Sequence, residues 1–129
     1  MNILISTALL LLTLTYPAQL FASTPTMVVD SPASPVSLNT GQSQTFTAEA
    51  TATFGIKGIE WFLGSTSQRY TGYTGNWIYY KQESFSLTFN SPGTFYIYGY
   101  VYDRQTPQRQ AFVYWQVTVS APPTPTITT

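Results

Sequence analysis

Tyrosine occupies every second position in GTFYIYGYVYD, the stretch formed by residues 93–103. The four tyrosines are Tyr96, Tyr98, Tyr100 and Tyr102. Successive side chains of a β-strand point to opposite faces of a sheet, so this spacing predicts a strand that carries one row of tyrosines. An α-helix would distribute the same residues around its axis. Whether the row is core or surface depends on which side of the predicted sheet meets water.

The same two-residue period recurs between turn signals along most of the chain, and no window keeps a helical period for three turns. Stretches rich in Gly, Pro, Asn and Asp separate the periodic segments. Strands are predicted at Pro35–Leu38, Ser43–Ala50, Lys57–Leu63, Trp77–Lys81, Ser84–Phe89, Thr94–Asp103 and Gln110–Ser120. Short strands at this spacing predict an all-β fold, a seven-stranded antiparallel sandwich of two sheets.

The composition changes at both ends of the chain. An apolar run from Ile3 to Leu14 is shorter than the roughly 20 residues of a membrane span, and small residues follow it. Residues 1–22 are therefore predicted to be a signal peptide, with a membrane anchor as the alternative. Residues 23–33 and 121–129 are rich in Pro and Thr and are predicted to be linkers or a tail. One domain is expected over residues 34–120, secreted, periplasmic or on the cell surface, with no membrane insertion after signal cleavage.

The charged residues exclude several classes of function. Five Lys and Arg balance five Asp and Glu, so nothing attracts nucleic acid or anionic lipid electrostatically. The chain has no Cys for disulfides or thiolate metal sites, and no His to act as a base near neutral pH. We therefore expect no enzyme activity, no cofactor and no metal site. Asp103, which Arg104 follows, is expected to fix a turn rather than to bind a metal.

Four segments resemble a known family. The stretches GQSQTFTAEA, GIEWFL, FNSPGTFYIYGYVYD and FVYWQVTVS are similar to the B, C, F and G strands of bacterial Ig-like and polycystic-kidney-disease (PKD) type domains. The resemblance covers about residues 34–120. Its most specific piece is a Pro-Gly-Thr-aromatic corner that leads into an alternating strand ending in Asp. Trp61 matches the tryptophan that these domains bury on strand C, and the resemblance implies an Ig-like sandwich.

The polar partners in each alternating strand predict which side chains face inward, because a slip of one residue would bury the polar set. The expected inward residues are Phe46, Ala48, Ala50, Ile59, Trp61, Leu63, Phe85, Leu87, Phe89, Val113, Trp115, Val117 and Val119. In residues 93–103 the apolar set is Phe95, Ile97, Gly99 and Val101, which has no polar atom to satisfy. Four inward tyrosines would each require a buried hydrogen-bond partner. The tyrosine row is therefore predicted to face outward.

Strands C, F and G are neighbours in one sheet of an Ig-like sandwich. Their outward aromatic residues would then share one face, which we predict to be the binding surface; they are Phe62, Tyr96, Tyr98, Tyr100, Tyr102, Phe112 and Tyr114. A second candidate patch lies in RYTGYTGNWIYYK and consists of Tyr70, Tyr73, Trp77, Tyr79 and Tyr80. This second group could close over a sugar ring or cap one edge of the sandwich.

These features favour a non-catalytic module that mediates protein contact, adhesion or spacing, because contiguous exposed aromatic surface commonly marks contact with another molecule. Self-association is possible through the same face. The alternative is a carbohydrate-binding module whose aromatic rings stack on sugars. An enzyme or enzyme inhibitor is a third class, and an inhibitor would use the loops Gly64–Asn76 or Asp103–Arg109. The interpretation without a binding role is that the exposed aromatic residues form cross-strand pairs that stabilise a solvated sheet.

Overall fold

A computed structural model of the chain describes residues 24–128. Within these residues the regular secondary structure is β, as predicted. The strands are β1 (Thr26–Ser31), β2 (Val36–Asn39), β3 (Ser43–Thr51), β4 (Ile56–Leu63), β5 (Thr66–Gly72), β6 (Tyr80–Thr88), β7 (Gly93–Asp103) and β8 (Gln110–Ser120). The predicted signal peptide, residues 1–22, lies outside the described residues.

The strands form two sheets. The smaller sheet has the order β1-β3-β6, and the larger has the order β2-β8-β7-β4-β5. The two-sheet sandwich is therefore confirmed. Strand β2 pairs with β8 in parallel, so the prediction of a wholly antiparallel fold is wrong at this pair. Residues 32–35 separate β1 in the smaller sheet from β2 in the larger one, so the chain changes sheets there.

Three segments differ from the predicted strands. The prediction of a linker over residues 23–33 is wrong at β1, where Met27 is buried and alternates with exposed Thr26 and Val28. The predicted loop Gly64–Asn76 contains β5, an edge strand whose mostly polar, exposed residues give no alternating signal. The two strands predicted at Trp77–Lys81 and Ser84–Phe89 are one strand, β6, which pairs with β3 along its whole length. Main-chain pairing, rather than side-chain pattern, defines these elements.

The core lies between the two sheets and follows the predicted inward alternation. The indoles of Trp61 and Trp115 are fully buried and stack at 5.9 Å between ring centroids. Phe46 packs against Trp115 from the smaller sheet, at 5.2 Å. Gly99 on β7 leaves room for this cluster, because a Cβ there would lie 3.2 Å from the Trp61 ring. Large rings from both sheets thus fill the centre of the sandwich.

Asp103 fixes the turn after β7, as expected. Its Oδ1 accepts hydrogen bonds from the backbone amides of Gln105, at 3.2 Å, and Arg109, at 3.0 Å. The Nε of Arg109 donates to Asp103 Oδ2 at 2.8 Å, and the Asp103 side chain is 1% exposed. A buried carboxylate with these partners ties the start of the β7–β8 turn to its end.

Hydroxyl side chains cover the outer side of the smaller sheet. Thr45 and Ser86 face each other across β3 and β6, with their hydroxyl oxygens 2.6 Å apart, and Thr47 and Ser84 are 2.7 Å apart. Such cross-strand hydroxyl pairs are compatible with water on one side and the core on the other. The outer side of the smaller sheet therefore serves as a reference for a solvated sheet surface in the same protein.

Candidate functional site

The tyrosine row of β7 faces away from the core, as predicted. Ile97 and Val101 are fully buried, whereas Tyr96 is 41% exposed. Tyr98 and Tyr100 are partly exposed, and so is Tyr102. The opposite parity of the two sets shows that the strand register inferred from polarity is correct.

Strand pairing brings the other predicted aromatic residues next to this row. Tyr98 lies opposite Phe62 of β4 on one side and Tyr114 of β8 on the other, and Tyr100 lies opposite Phe112. Phe112 is 51% exposed and Tyr114 is 54% exposed. All seven residues predicted to share a face therefore do so.

Tyr70 also joins this surface, although the sequence pattern assigns it to the second patch. It pairs with Glu60 in the register of β5 on β4, and its ring centroid lies 6.5 Å from that of Tyr102. Gly58 makes this position possible, because a Cβ on Gly58 would overlap the Tyr70 ring. The sequence places Tyr70 in the wrong patch because it does not predict β5. We call the eight residues together the aromatic face: Phe62, Tyr70, Tyr96, Tyr98, Tyr100, Tyr102, Phe112 and Tyr114.

The rings of the aromatic face contact one another continuously. Tyr100 lies at its centre, nearly parallel to Tyr102 (6.2 Å, 15°) and to Phe112 (5.1 Å, 23°) and edge-on to Phe62 (5.3 Å, 69°). Tyr98 contacts Tyr114 at 5.9 Å. Rings that lie parallel side by side on a sheet partly cover one another, so they present edges and hydroxyl tips to solvent.

A carboxylate lies within the aromatic face. The Tyr102 hydroxyl donates to Glu60 Oε1 at 2.9 Å, and the Ser67 hydroxyl donates to Glu60 Oε2 at 2.7 Å. Burial, together with the hydrogen bond to Glu60, raises the pKa of Tyr102 above its ordinary value. Tyr102 thus keeps its proton and holds Glu60 in place on the outer side of β4.

A shallow depression of about 430 Å³ lies on the same surface. Its aromatic lining comes from Phe62 and from Tyr98, Tyr100 and Tyr102, and its polar lining includes Ser65 and Gln110. The depression can therefore receive an extended side chain or a small ring, with hydrogen-bonding groups at its border.

The second predicted patch does not form one surface. Tyr73 donates its hydroxyl to Glu83 Oε2 at 2.7 Å, where burial and this bond raise the pKa of Tyr73. The Trp77 ring lies under the guanidinium of Arg104, at 4.9 Å. Tyr79 and Tyr80 are exposed beside the start of β6, and Tyr70 belongs to the aromatic face. The group is thus divided among separate places.

Metal-binding clusters and membrane-spanning helices are both absent from residues 24–128. These residues contain no group of three or more His, Cys, Asp or Glu side chains that could hold a metal ion. This part of the chain also has no helix long and apolar enough to cross a bilayer.

The two sheets and their register define an Ig-like β-sandwich. The family model of the bacterial Ig domain matches residues 25–128, so the chain belongs to the bacterial Ig domain family. Bacterial Ig domains are often extracellular or on the cell surface. The PKD part of the resemblance stays a prediction. No curated protein matches the chain.

Solved structures of low sequence identity share the fold. The fibronectin(III)-like modules of Clostridium thermocellum CbhA align at a TM-score of 0.56 and 14% identity, covering 74% of this chain and 46% of theirs. This chain therefore spans less than half the length of that chain of modules. A chain from the Ig complex of titin M10 and obscurin-like 1 aligns at a TM-score of 0.54 and 15% identity. The alignment covers 79% of this chain and 98% of that chain. A CARDB domain from Pyrococcus furiosus aligns at a TM-score of 0.51 and 12% identity. The alignment covers 75% of this chain and 86% of that chain.

Proposed function

We propose that the chain is a non-catalytic, exported Ig-like module that binds a partner protein through the aromatic face, for adhesion, assembly or spacing. The observation that carries the proposal is the difference between the two outer surfaces of one sandwich. The smaller sheet meets solvent with hydroxyl pairs such as Thr45–Ser86, whereas the larger sheet carries eight aromatic rings in mutual contact. A surface that needed only to be solvated would not require these rings.

Aromatic side chains suit a contact surface for physical reasons. They offer a large apolar area with few rotatable bonds, and the phenol hydroxyl can still bond to water or to a partner. Binding energy in interfaces concentrates in such residues, Tyr and Trp above all. Neighbouring rings already hold Tyr98 and Tyr100 in place, so little side-chain entropy would be lost on binding.

The proposal is tested by cell-surface binding of the fluorescently labelled full chain. Source cells are cells of the organism that produces the chain. We expect the variant Tyr96→Thr/Tyr98→Thr/Tyr100→Thr to bind them with an affinity at least about tenfold lower than that of the wild type, because interface aromatics are lost. The matched control carries three changes on the smaller sheet, Thr45→Ala/Thr47→Ala/Ser86→Ala, and should bind as the wild type does. Equal binding by the tyrosine variant, with its fold intact by circular dichroism, would refute the contact surface.

Carbohydrate binding is the second candidate, and the depression beside Ser65 and Gln110 supports it. The ring geometry favours protein contact instead, since the parallel packing of Tyr100 with Tyr102 and Phe112 leaves less open ring face for a sugar. Polysaccharide pull-down separates the two. If the wild-type chain is retained on a polysaccharide and the tyrosine variant is not, carbohydrate binding is favoured. If no polysaccharide retains the wild-type chain, protein contact is favoured.

A further inference from the structure

We propose that the partner of the aromatic face is a cationic polypeptide segment, which places an Arg or Lys side chain beside Glu60. This inference rests on the proposed function and names the chemistry of the partner. Three observations support it: the placement of charges around the face, the hydrogen-bond partners of Glu60, and the contacts between this protein's own cations and aromatic rings.

Glu60 lies among the rings on the outer side of the larger sheet, and the cations of the same strands bond elsewhere. The charged residues that are at least partly exposed on β4, β5, β7 and β8 are Lys57, Glu60 and Arg69. Arg69 of β5 points the other way, to Glu83 of the smaller sheet. Lys57 donates its Nζ to Gln108 in the β7–β8 turn. Both cations thus bond to groups outside the aromatic face, whereas Glu60 bonds to two hydroxyls and to no cation of the described residues.

Glu60 differs from the acidic residues that this fold uses for its own structure. Asp103 and Glu83 each form an ion pair, with Arg109 and Arg69 respectively. Glu60 instead accepts from two neutral hydroxyls and stays partly exposed. A carboxylate has about four acceptor positions, so a donor from outside can still bind. Hydrogen bonds from cationic donors are about twice as strong as those between neutral groups.

The protein's own cations show the affinity of such rings for positive charge. Arg104 lies over Trp77 at 4.9 Å, Arg69 over Phe85 at 5.7 Å, and the Lys81 ammonium over Tyr73 at 5.9 Å. These rings all lie outside the aromatic face. A guanidinium bound beside Glu60 would combine ion pairing with stacking on Tyr70 or Tyr102, a combination suited to Arg.

Other occupants of the face are less compatible with its charge. A second copy docked through the same face would supply no cation to Glu60 from its own aromatic face. An acidic partner would place like charges together, which is unfavourable across an interface. A cationic segment alone matches both the carboxylate and the electron-rich rings.

The test uses synthetic peptides and the full chain. The acetylated, amidated peptide Gly-Arg-Gly-Arg-Gly is titrated while aromatic resonances are followed by NMR. Matched peptides carry citrulline, which keeps the shape but loses the charge, or Glu in place of Arg. We expect the Arg peptide to shift the Tyr70, Tyr100 and Tyr102 signals, and the citrulline peptide to bind at least about tenfold more weakly, since an ion pair and a cation–π contact are lost.

Two variants locate the effect. Glu60→Gln keeps the shape of the side chain and should weaken the Arg peptide at least about tenfold. Glu49→Gln removes a carboxylate from the outer side of the smaller sheet and should change nothing. Equal binding of the citrulline peptide, or wild-type binding by Glu60→Gln, would overturn the proposal. So would a concentration-dependent dimer in sedimentation that the tyrosine variant abolishes.

The outcomes also separate this inference from the proposed function. If Glu60→Gln binds source cells as the wild type does while the tyrosine variant does not, the contact surface stands and the cationic partner fails. If both variants bind normally, both proposals fail.

Discussion

At the scale of single residues, Glu83 organises the edge where the two sheets meet. Its Oε1 accepts from Trp61 Nε1 at 3.3 Å, Arg69 at 2.6 Å and Thr71 at 3.2 Å, and its Oε2 accepts from the Tyr73 hydroxyl at 2.7 Å. These donors come from β4, β5 and the turn after β5, whereas Glu83 lies on β6. One carboxylate thus connects the larger sheet to the smaller one.

The substitution Glu83→Gln is predicted to lower the free energy of unfolding by about 1–3 kcal/mol, because the charge that strengthens several hydrogen bonds is lost. Arg69 is 43% exposed on its side chain, so its ion pair contributes little of this. Urea denaturation measures the difference. The control is Glu49→Gln on the outer side of β3, where the carboxylate accepts from the exposed Tyr80 hydroxyl, and it should lose less stability than Glu83→Gln. A similar loss in both variants would mean that Glu83 is not a special position.

Two partly buried phenols contribute to a dependence of the stability on alkaline pH. Burial and a hydrogen bond to a carboxylate raise the pKa of Tyr73 and of Tyr102 in the folded chain above their ordinary value. Each phenol therefore keeps its proton where the unfolded chain loses it. The stabilisation is complete below about pH 10 and decreases as the pH rises above that value.

We predict that the free energy of unfolding, measured by urea denaturation from about pH 9 to about pH 11, decreases with pH in the wild type and decreases less in Tyr73→Phe. The control Thr45→Ala removes a hydroxyl that does not titrate in this range and should keep the wild-type slope. A Tyr73→Phe slope equal to that of the wild type would show that the phenol–carboxylate bond to Glu83 has no part in the effect.

Residue patterns predict most of the site because the polar partners in each strand fix its parity. Thr45 and Thr47 could not be buried without loss of their hydrogen bonds, which places Phe46 inside, and the same rule places the tyrosines of β7 outside. Tyr70 is predicted in the second patch rather than on the aromatic face, because its position depends on the pairing of β5 with β4 and on the absence of a Cβ at Gly58. Such contacts between distant segments leave no periodic trace in the sequence.

At the scale of secondary structure elements, the sequence predicts the central strands and the edge strands β2 and β6, but not the edge strands β1 and β5. β3, β7 and β8 each bury one face, so their sequences alternate. β5 is an edge strand with mostly exposed side chains, and polar residues there are compatible with either strand or loop. β1 is short, and its Pro/Thr surroundings mask the alternation around Met27. Backbone hydrogen bonds alone define these elements, and backbone bonds carry no residue signature.

The two faces of β7 predict opposite responses to substitution. Replacing Tyr96, Tyr98 and Tyr100 by Thr keeps β propensity and should cost about 0.2–1 kcal/mol for each cross-strand pair lost. Replacing Ile97 and Val101 by Ala opens cavities beneath the strand, and each large-to-small change of this kind costs on the order of 0.5–5 kcal/mol. Thermal melts compare the two variants. A tyrosine variant that unfolds while the Ile97/Val101 variant survives would mean that the strand is inverted.

At the scale of the whole molecule, the sandwich is asymmetric. One outer surface carries hydroxyl pairs, and the other carries the aromatic face with Glu60 within it. Residues 121–128 follow β8 without regular secondary structure, exposed and rich in Pro and Thr. Such a composition favours an extended spacer. Under the proposed function, the sheet that carries the aromatic face is the one that contacts the partner.

Site-specific photo-cross-linking in the source cells tests the aromatic face most directly, because it captures a bound partner of any identity. The photoreactive residue benzoylphenylalanine replaces Tyr98 in one version of the full chain and Thr45 in the other. Both positions lie at the middle of an outer sheet surface, so they differ only in the face that they sample. We predict a discrete cross-linked product from position 98 and none from position 45. No product from position 98, or the same product from both, would contradict the assignment of the aromatic face as the contact surface.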